Sequence, residues 1–325
     1  MSNVPNLATL DAQMKADQVF SNARKVMVSI SGGADSDIML DLIHRKNYNC
    51  EIHYVFFNTG IEMQATLEHL DYLEKKYNIK IERVRAKVPV PLGCLKYGQP
   101  FFSKVVSNMI ELLQSRNFDF KNDGNKSFEE LSKKYDVIGA LRWWTNSYAK
   151  GSMFNINQQK YLKEFLIENP PNFKISPKCC KGAKKDTSHF WEKSNPCDLK
   201  CIGLRKAEGG MRASTVKNCF SNKGNVKVYR PIFWFTDKDK KEYESFYRIE
   251  HSKCYTDYGF KRTGCCGCPF NSQFEEDLEL IKDKEPLLYK AVNKIFGQSY
   301  EYTRMFREFK RKKKLAIVDG QTGLF

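Results

Sequence analysis

The sequence predicts an α/β protein on a doubly wound, Rossmann-like parallel sheet, with a helical insertion and a helical C-terminal extension. Two observations carry that expectation. Residues 25–44, KVMVSISGGADSDIMLDLIH, join a short apolar run to a glycine turn and then to apolar residues at helical spacing. Beyond them, strand-like and helix-like segments alternate, the order that yields parallel strands joined by crossover helices.

Residues 26–30 read as a buried strand, because four of the five are apolar and two are β-branched valines. Ser31-Gly32-Gly33-Ala34-Asp35-Ser36 breaks it, and Ile38, Met39, Leu42 and Ile43 predict a helix over 37–44. Upstream, residues 7–20 read as an amphipathic helix. Downstream, EIHYVFF (51–57) is a second strand ending in Asn58-Thr59-Gly60, 63–77 a helix, and 79–84 a third strand. Ligands of such sheets sit beyond the carboxyl ends of the strands, where Ser31 and Asn58 fall. Pro89, Pro91 and Pro100 then interrupt the pattern around Cys94. Helices are expected between 101 and 170, strands at 199–204 and within 226–235, a helix over 237–251 capped by Thr236, and helices from 273 onward. The expected domains are 1–270, with the insertion at about 95–175, and a basic helical extension over 271–325.

A chain of 325 residues, 41% hydrophobic and 28% charged, can bury a full core. No run approaches the ~18 uninterrupted apolar residues of a membrane helix. The opening MSNVPNLATLDAQMK has no basic-then-apolar leader pattern, so the expected location is the cytoplasm. The formal charge of +16 points to a polyanionic partner. Eleven cysteines, an odd number, do not read as a disulfide framework; in a reducing compartment, clustered cysteines are metal ligands or catalytic thiols.

The glycine turn is an anion site in outline. Glycines let backbone N–H groups approach a phosphate, and a helix N-terminus adds partial positive charge. No Gly-Lys-Ser/Thr follows, so it is not a Walker A loop. The cysteines fall in pairs: Cys179-Cys180, followed by Lys181, Lys184 and Lys185, and Cys265 with Cys268 in a Cys-x-x-Cys. Four thiolates suit a structural zinc or an iron–sulfur cluster, and spacing alone leaves both open. Lys310-Arg311-Lys312-Lys313-Lys314 is either a phosphate-backbone contact or a solvated helix end. Arg142-Trp143-Trp144 could stack a base, but buried core tryptophans are the better reading. His44, His53 and His69 fall within predicted elements and read as packing or surface residues.

The Ser-Gly-Gly-x-Asp-Ser turn resembles the signature of the PP-loop ATP pyrophosphatases, whose fold is adenine nucleotide alpha hydrolase-like. The paired cysteines flanking a Gly-x-Arg segment resemble the phosphoadenosine phosphosulfate (PAPS) reductase family. Further stretches match in order: Phe57-Asn58-Thr59-Gly60 at the end of the second strand; Gly203-Leu204-Arg205 with Glu208 and Arg212; Arg230-Pro231-Ile232 through Asp237; and Arg262-Thr263-Gly264-Cys265. Two departures set this sequence apart. The sulfonucleotide reductases carry a degraded loop, whereas this one is complete. They also end in a cysteine-bearing tail, whereas the last residues here, Asp319 to Phe325, hold no thiol, and Cys219 or Cys254 could substitute only in a different geometry.

The resemblance therefore implies an ATP-using branch, akin to DNA phosphorothioation proteins and tRNA thiolases. It implies ATP with Mg2+ as a cofactor and a four-iron cluster, with zinc the alternative, on Cys179, Cys180, Cys265 and Cys268. Ser31, Gly32, Gly33 and Ser36 would bind pyrophosphate, Asp35 would orient the loop or the magnesium, and Asn58, Thr59 and Gly60 would border the adenosine. Arg205 and Arg212 would offset phosphate charge. The implied partners are DNA or tRNA and a sulfur donor such as a cysteine desulfurase. The alternatives are a PAPS reductase and a non-catalytic nucleic-acid-binding module.

Overall fold

In the computed structural model, residues 4–209, 215–223 and 226–322 are described. They divide into two compact units that do not follow chain order. The first comprises Met1–Pro89, Ala183–Cys266 and Glu279–Leu288; the second comprises Val90–Gly182, Gly267–Leu278 and Tyr289–Phe325.

The first unit is built on a six-stranded sheet: β1 (Lys25–Ile30), β2 (Glu51–Asn58), β3 (Ile81–Arg85), β4 (Leu199–Ile202), β5 (Phe220–Lys223) and β6 (Val226–Tyr229). Their order is β3-β2-β1-β4-β6-β5. All neighbours are parallel except β5 and β6, which pair antiparallel. The expected parallel sheet is present, with one antiparallel edge strand added. The predicted fourth strand stops at Ile202, and Gly203 to Arg205 turn away beyond it.

Because side chains alternate across a strand, each face has its own cover. One face, with Val26, Val28, Ile30, Tyr54, Phe56 and Cys201, packs in the main core under α1 (Leu7–Phe20), α2 (Ala34–His44), α3 (Gln64–Tyr77) and the Asp237–Tyr247 helix. The other presents Met27, Val55 and Phe57 to Trp191 of the Thr187–Ser194 helix. Helices on both faces make the sheet doubly wound. Within the main core, Asp41 of α2 is satisfied by Tyr77, Tyr243 and Arg45, which lets a carboxylate be buried there. The Asp237–Tyr247 helix starts as expected at Thr236, in a reciprocal capping box with Asp239. Glu285 accepts from the Gln64 and Ala65 amides and so caps α3.

The second unit is helical. Phe101, Phe118, Phe120, Trp143, Trp144, Phe165, Tyr302 and Phe306 form its core. Trp143 and Trp144 are 1% and 0% exposed, the packing role the sequence favoured. Trp144 donates its indole N–H to the Gly124 carbonyl at 3.0 Å. The basic run from Lys310 lies on the Pro286–Thr322 helix, where Arg311 and Lys312 meet Glu308, and Lys313 meets Glu164 and Glu168. Among the described residues, no helix is long and apolar enough to cross a membrane.

Candidate nucleotide site

A cavity of about 930 Å³ opens within the first unit at the carboxyl ends of β1, β2, β4 and β6. Ser31, Gly33, Ala34, Asp35 and Ser36 form one wall. The turn is held from inside and outside. The Ser31 amide donates to Ser36 Oγ at 3.0 Å, and the Gly33 amide to Ser31 Oγ at 3.3 Å. Gly32 has φ +68°, and a Cβ there would stand 2.8 Å from Thr66 Cγ2. Only glycine meets both demands. The Ala34 amide donates to the Tyr255 hydroxyl at 3.1 Å, which also bonds Thr263 Oγ1. The Asp35 amide, in the first turn of α2, makes no hydrogen bond among the described residues, as expected of a helix start awaiting an acceptor. That helix begins at Ala34, three residues before the predicted start at 37.

Asp35 Oδ2 accepts from Arg205 Nε at 3.0 Å, and Oδ1 from Lys240 Nζ at 2.9 Å. Arg205, buried, also donates through Nη1 to Asp237 at 2.9 Å and to the Phe235 carbonyl. Asp35 thus braces two cations at the turn. Of the Asn58-Thr59-Gly60 segment, Thr59 lines the cavity. Its amide and hydroxyl both donate to Glu62 Oε1, at 2.9 and 2.6 Å, while Asn58 Oδ1 accepts from the Gly60 amide. Arg212 lies outside the described residues.

Behind the turn, Asp37 is buried on α2. Its Oδ2 meets His69 Nε2 at 3.0 Å and His251 Nδ1 at 2.8 Å, and His251 Nε2 meets Glu244 Oε1 at 2.8 Å. Burial opposes charge on His251, but the two carboxylates outweigh it and lift its pKa to about 9. Sequence reasoning missed His251, Glu62, Lys240 and Tyr255, and named Thr263 only within a matching stretch, without a role. Of these, only Glu62, three residues past Thr59, leaves a local signal of the capping kind.

Of the four predicted metal ligands, Cys179, Cys180 and Cys268 belong to the second unit and Cys265 to the first. The Cys180 hydrogen bond pulls the Cys179 thiol down, but Cys94, burial and Cys268 leave it well above the ordinary thiol range. Cys94 is therefore a neighbour the spacing did not reveal. Cys265 Sγ lies 3.7 Å from Thr59 Oγ1. Among the described residues, no group of three or more His, Cys, Asp or Glu side chains is placed to hold a metal ion. The donors suit a soft metal in kind.

Fold and site together define an α/β protein with a glycine turn, opening a helix, at the carboxyl edge of its sheet. Residues 25–159 match the phosphoadenosine phosphosulfate reductase domain, so that stretch of the chain is similar to that family. An uncharacterized protein of Methanocaldococcus jannaschii is 39% identical over 280 residues, 86% of this chain and 42% of that protein. A 7-cyano-7-deazaguanine synthase of Rickettsia bellii is 36% identical over 61 residues, 19% of this chain and 26% of the synthase. The chain thus spans less than half the length of these curated relatives. Two solved structures resemble it loosely. The PAPS reductase of Candida auris, as a phosphate complex, has a TM-score of 0.44 at 11% identity, covering 78% of this chain and 87% of that one. The U34-tRNA thiolase of Methanococcus maripaludis with its 4Fe–4S cluster has a TM-score of 0.38 at 13% identity, covering 92% and 79%.

Proposed function

We propose that the protein is an ATP pyrophosphatase that activates an acceptor, in nucleic acid, for sulfur transfer. The observation that carries this reading is the complete Ser-Gly-Gly-x-Asp-Ser turn, set at a helix start with an uncommitted Asp35 amide. Such a turn suits the β,γ-pyrophosphate of a nucleoside triphosphate. In the proposed reaction an acceptor oxygen attacks the α-phosphorus. A new P–O bond forms, the bond between the α-phosphorus and its bridging oxygen breaks, and pyrophosphate departs with the electron pair. The acceptor proton leaves with solvent. The turn amides and the Ser36 hydroxyl hold the leaving group. Arg205 offsets its growing charge, because its Nη2 makes no hydrogen bond among the described residues. The AMP-bearing oxygen is then a good leaving group for incoming sulfur. A cluster on the paired cysteines would supply or organise that sulfur when bound.

The family's name favours a second reading, reduction of PAPS. Product analysis separates the two. Anaerobically purified protein is expected to convert ATP to AMP and pyrophosphate when supplied with acceptor nucleic acid and sulfide, and Ser36→Ala is expected to abolish it. Sulfite released from PAPS would replace this reading with the reductase. Salt-sensitive nucleic-acid binding with no turnover of either nucleotide would leave a non-catalytic module.

A further inference from the structure

The cavity has two banks, and the triphosphate reading uses only one. The far bank follows from sheet register. Lys200 pairs with Met27 on β1 and with Val228 on β6, so Lys200, Ile202, Val226 and Val228 share the face on which Met27 packs under Trp191. Over β1 and its β2 side that face is covered by the Thr187–Ser194 helix. Over β4 and β6 the same face is cavity floor, lined by Lys200, Ile202, Val226 and Val228. Lys184, Lys185, Ser188 and His189 form the wall above it, and Arg230 continues past the end of β6.

The chemistry of this bank is apolar below and cationic around. Lys184, Lys185, Lys200 and Arg230 line it with Glu192, and Lys200 engages Glu192 together with Ser188 Oγ. Arg230 is buried, and its Nη groups donate to Ser221 Oγ and the Asn218 carbonyl among other contacts. Lys185 makes no ion pair among the described residues. A flat apolar group ringed by negative charge fits this setting. On the same helix as His189, Phe190 is 57% exposed, and Lys87 Nζ stands 5.2 Å from its ring centroid. An exposed aromatic ring beside a lysine suits a second base stacked outside the cavity.

We propose that this bank is the acceptor subsite and takes one unpaired nucleotide residue of a single-stranded nucleic acid. Its base lies on Ile202, Val226 and Val228, its phosphates meet Lys184, Lys185 and Arg230, and the neighbouring base stacks on Phe190. The floor is recessed in the sheet face, so a base reaches it only when out of a duplex. The assignment rests on the ATP reading of the glycine turn on the opposite bank.

The test measures two affinities side by side: a fluorescently labelled, mixed-sequence single-stranded RNA by anisotropy, and α,β-methylene-ATP by calorimetry. Both substituted side chains are exposed, so folding is not at issue. Lys185→Glu is expected to weaken RNA binding about tenfold and to lower the slope of log affinity against log salt by about 1. Phe190→Ala is expected to weaken it at least about fivefold with the slope unchanged. Both should keep the ATP-analogue affinity within about twofold of wild type. Unchanged RNA affinity in both variants overturns the proposal. So does a parallel fall in analogue affinity, which would give this bank to ATP, or competition by free mononucleotides as effective as by the strand. RNA binding that responds to both substitutions in a protein that binds no analogue would refute the ATP reading and uphold the subsite.

Discussion

Raising the pH should weaken the first unit through one imidazole. His251 places both ring nitrogens 2.8 Å from carboxylate oxygens, Asp37 Oδ2 and Glu244 Oε1. A neutral ring donates only one hydrogen bond, so both contacts are donated only by the imidazolium. The folded pKa of about 9 stands above the ordinary 6.5. A pKa raised by folding means the stabilisation is fully present below the unfolded value and is lost as pH climbs through the folded one. The ring is 16% exposed, so solvent screening is modest. The gap corresponds to roughly 3 kcal/mol, to be lost between about pH 6.5 and pH 10. Urea unfolding followed by circular dichroism across that window measures it. His251→Gln, which cannot titrate, is expected to be less stable near neutrality and to lack this component of the decline. Lysines and tyrosines titrating at the upper end affect both proteins alike, so the difference isolates the imidazole. If His251→Gln loses as much stability as wild type over the window, the buried imidazolium is not its source.

Two further substitutions separate the turn from the thiols. Gly32→Ala combines a backbone at φ +68° with a Cβ 2.8 Å from Thr66 Cγ2, and should cost about 1–3 kcal/mol while abolishing ATP-analogue binding; unaltered binding by calorimetry would mean the turn does not hold the phosphates. Cys268→Ser should remove the iron and sulfide expected in anaerobically purified protein without changing analogue affinity; zinc with no broad visible absorption in the wild-type protein would rule out the cluster.

The parts of the fold that follow local periodicity were legible. β1, β2, α1 and α3 lie where their apolar spacing puts them, since each buries one stripe or face in the main core. The misses have physical causes. α2 starts at Ala34 because its first turn faces the cavity and is polar, so no apolar period marks it. β5, Phe-Ser-Asn-Lys, is a short edge strand whose partner supplies the apolar side, and no alternation announces it. Lys240, Tyr255 and Thr263 reach the turn from more than 200 residues away, a closeness that only the folded sheet creates.

The two segments that looked like separate motifs, 31–36 and 203–205, act as one device. A Cβ on Gly203 would stand 3.0 Å from the Asp35 carbonyl oxygen and 3.1 Å from Ser36 Cα, so only a bare backbone lets β4's exit lie against the turn. Leu204 is buried beside it, and Arg205 then reaches Asp35 at 3.0 Å. Glycine for approach, leucine for anchorage and arginine for charge explain that triplet without reference to relatives. Lys240 completes the arrangement, so Asp35 holds two cations at the glycine turn. In the proposed reaction a phosphate arriving there would meet donors already fixed by the fold and would not have to order them, which is the condition under which electrostatic stabilisation of a leaving pyrophosphate is most effective.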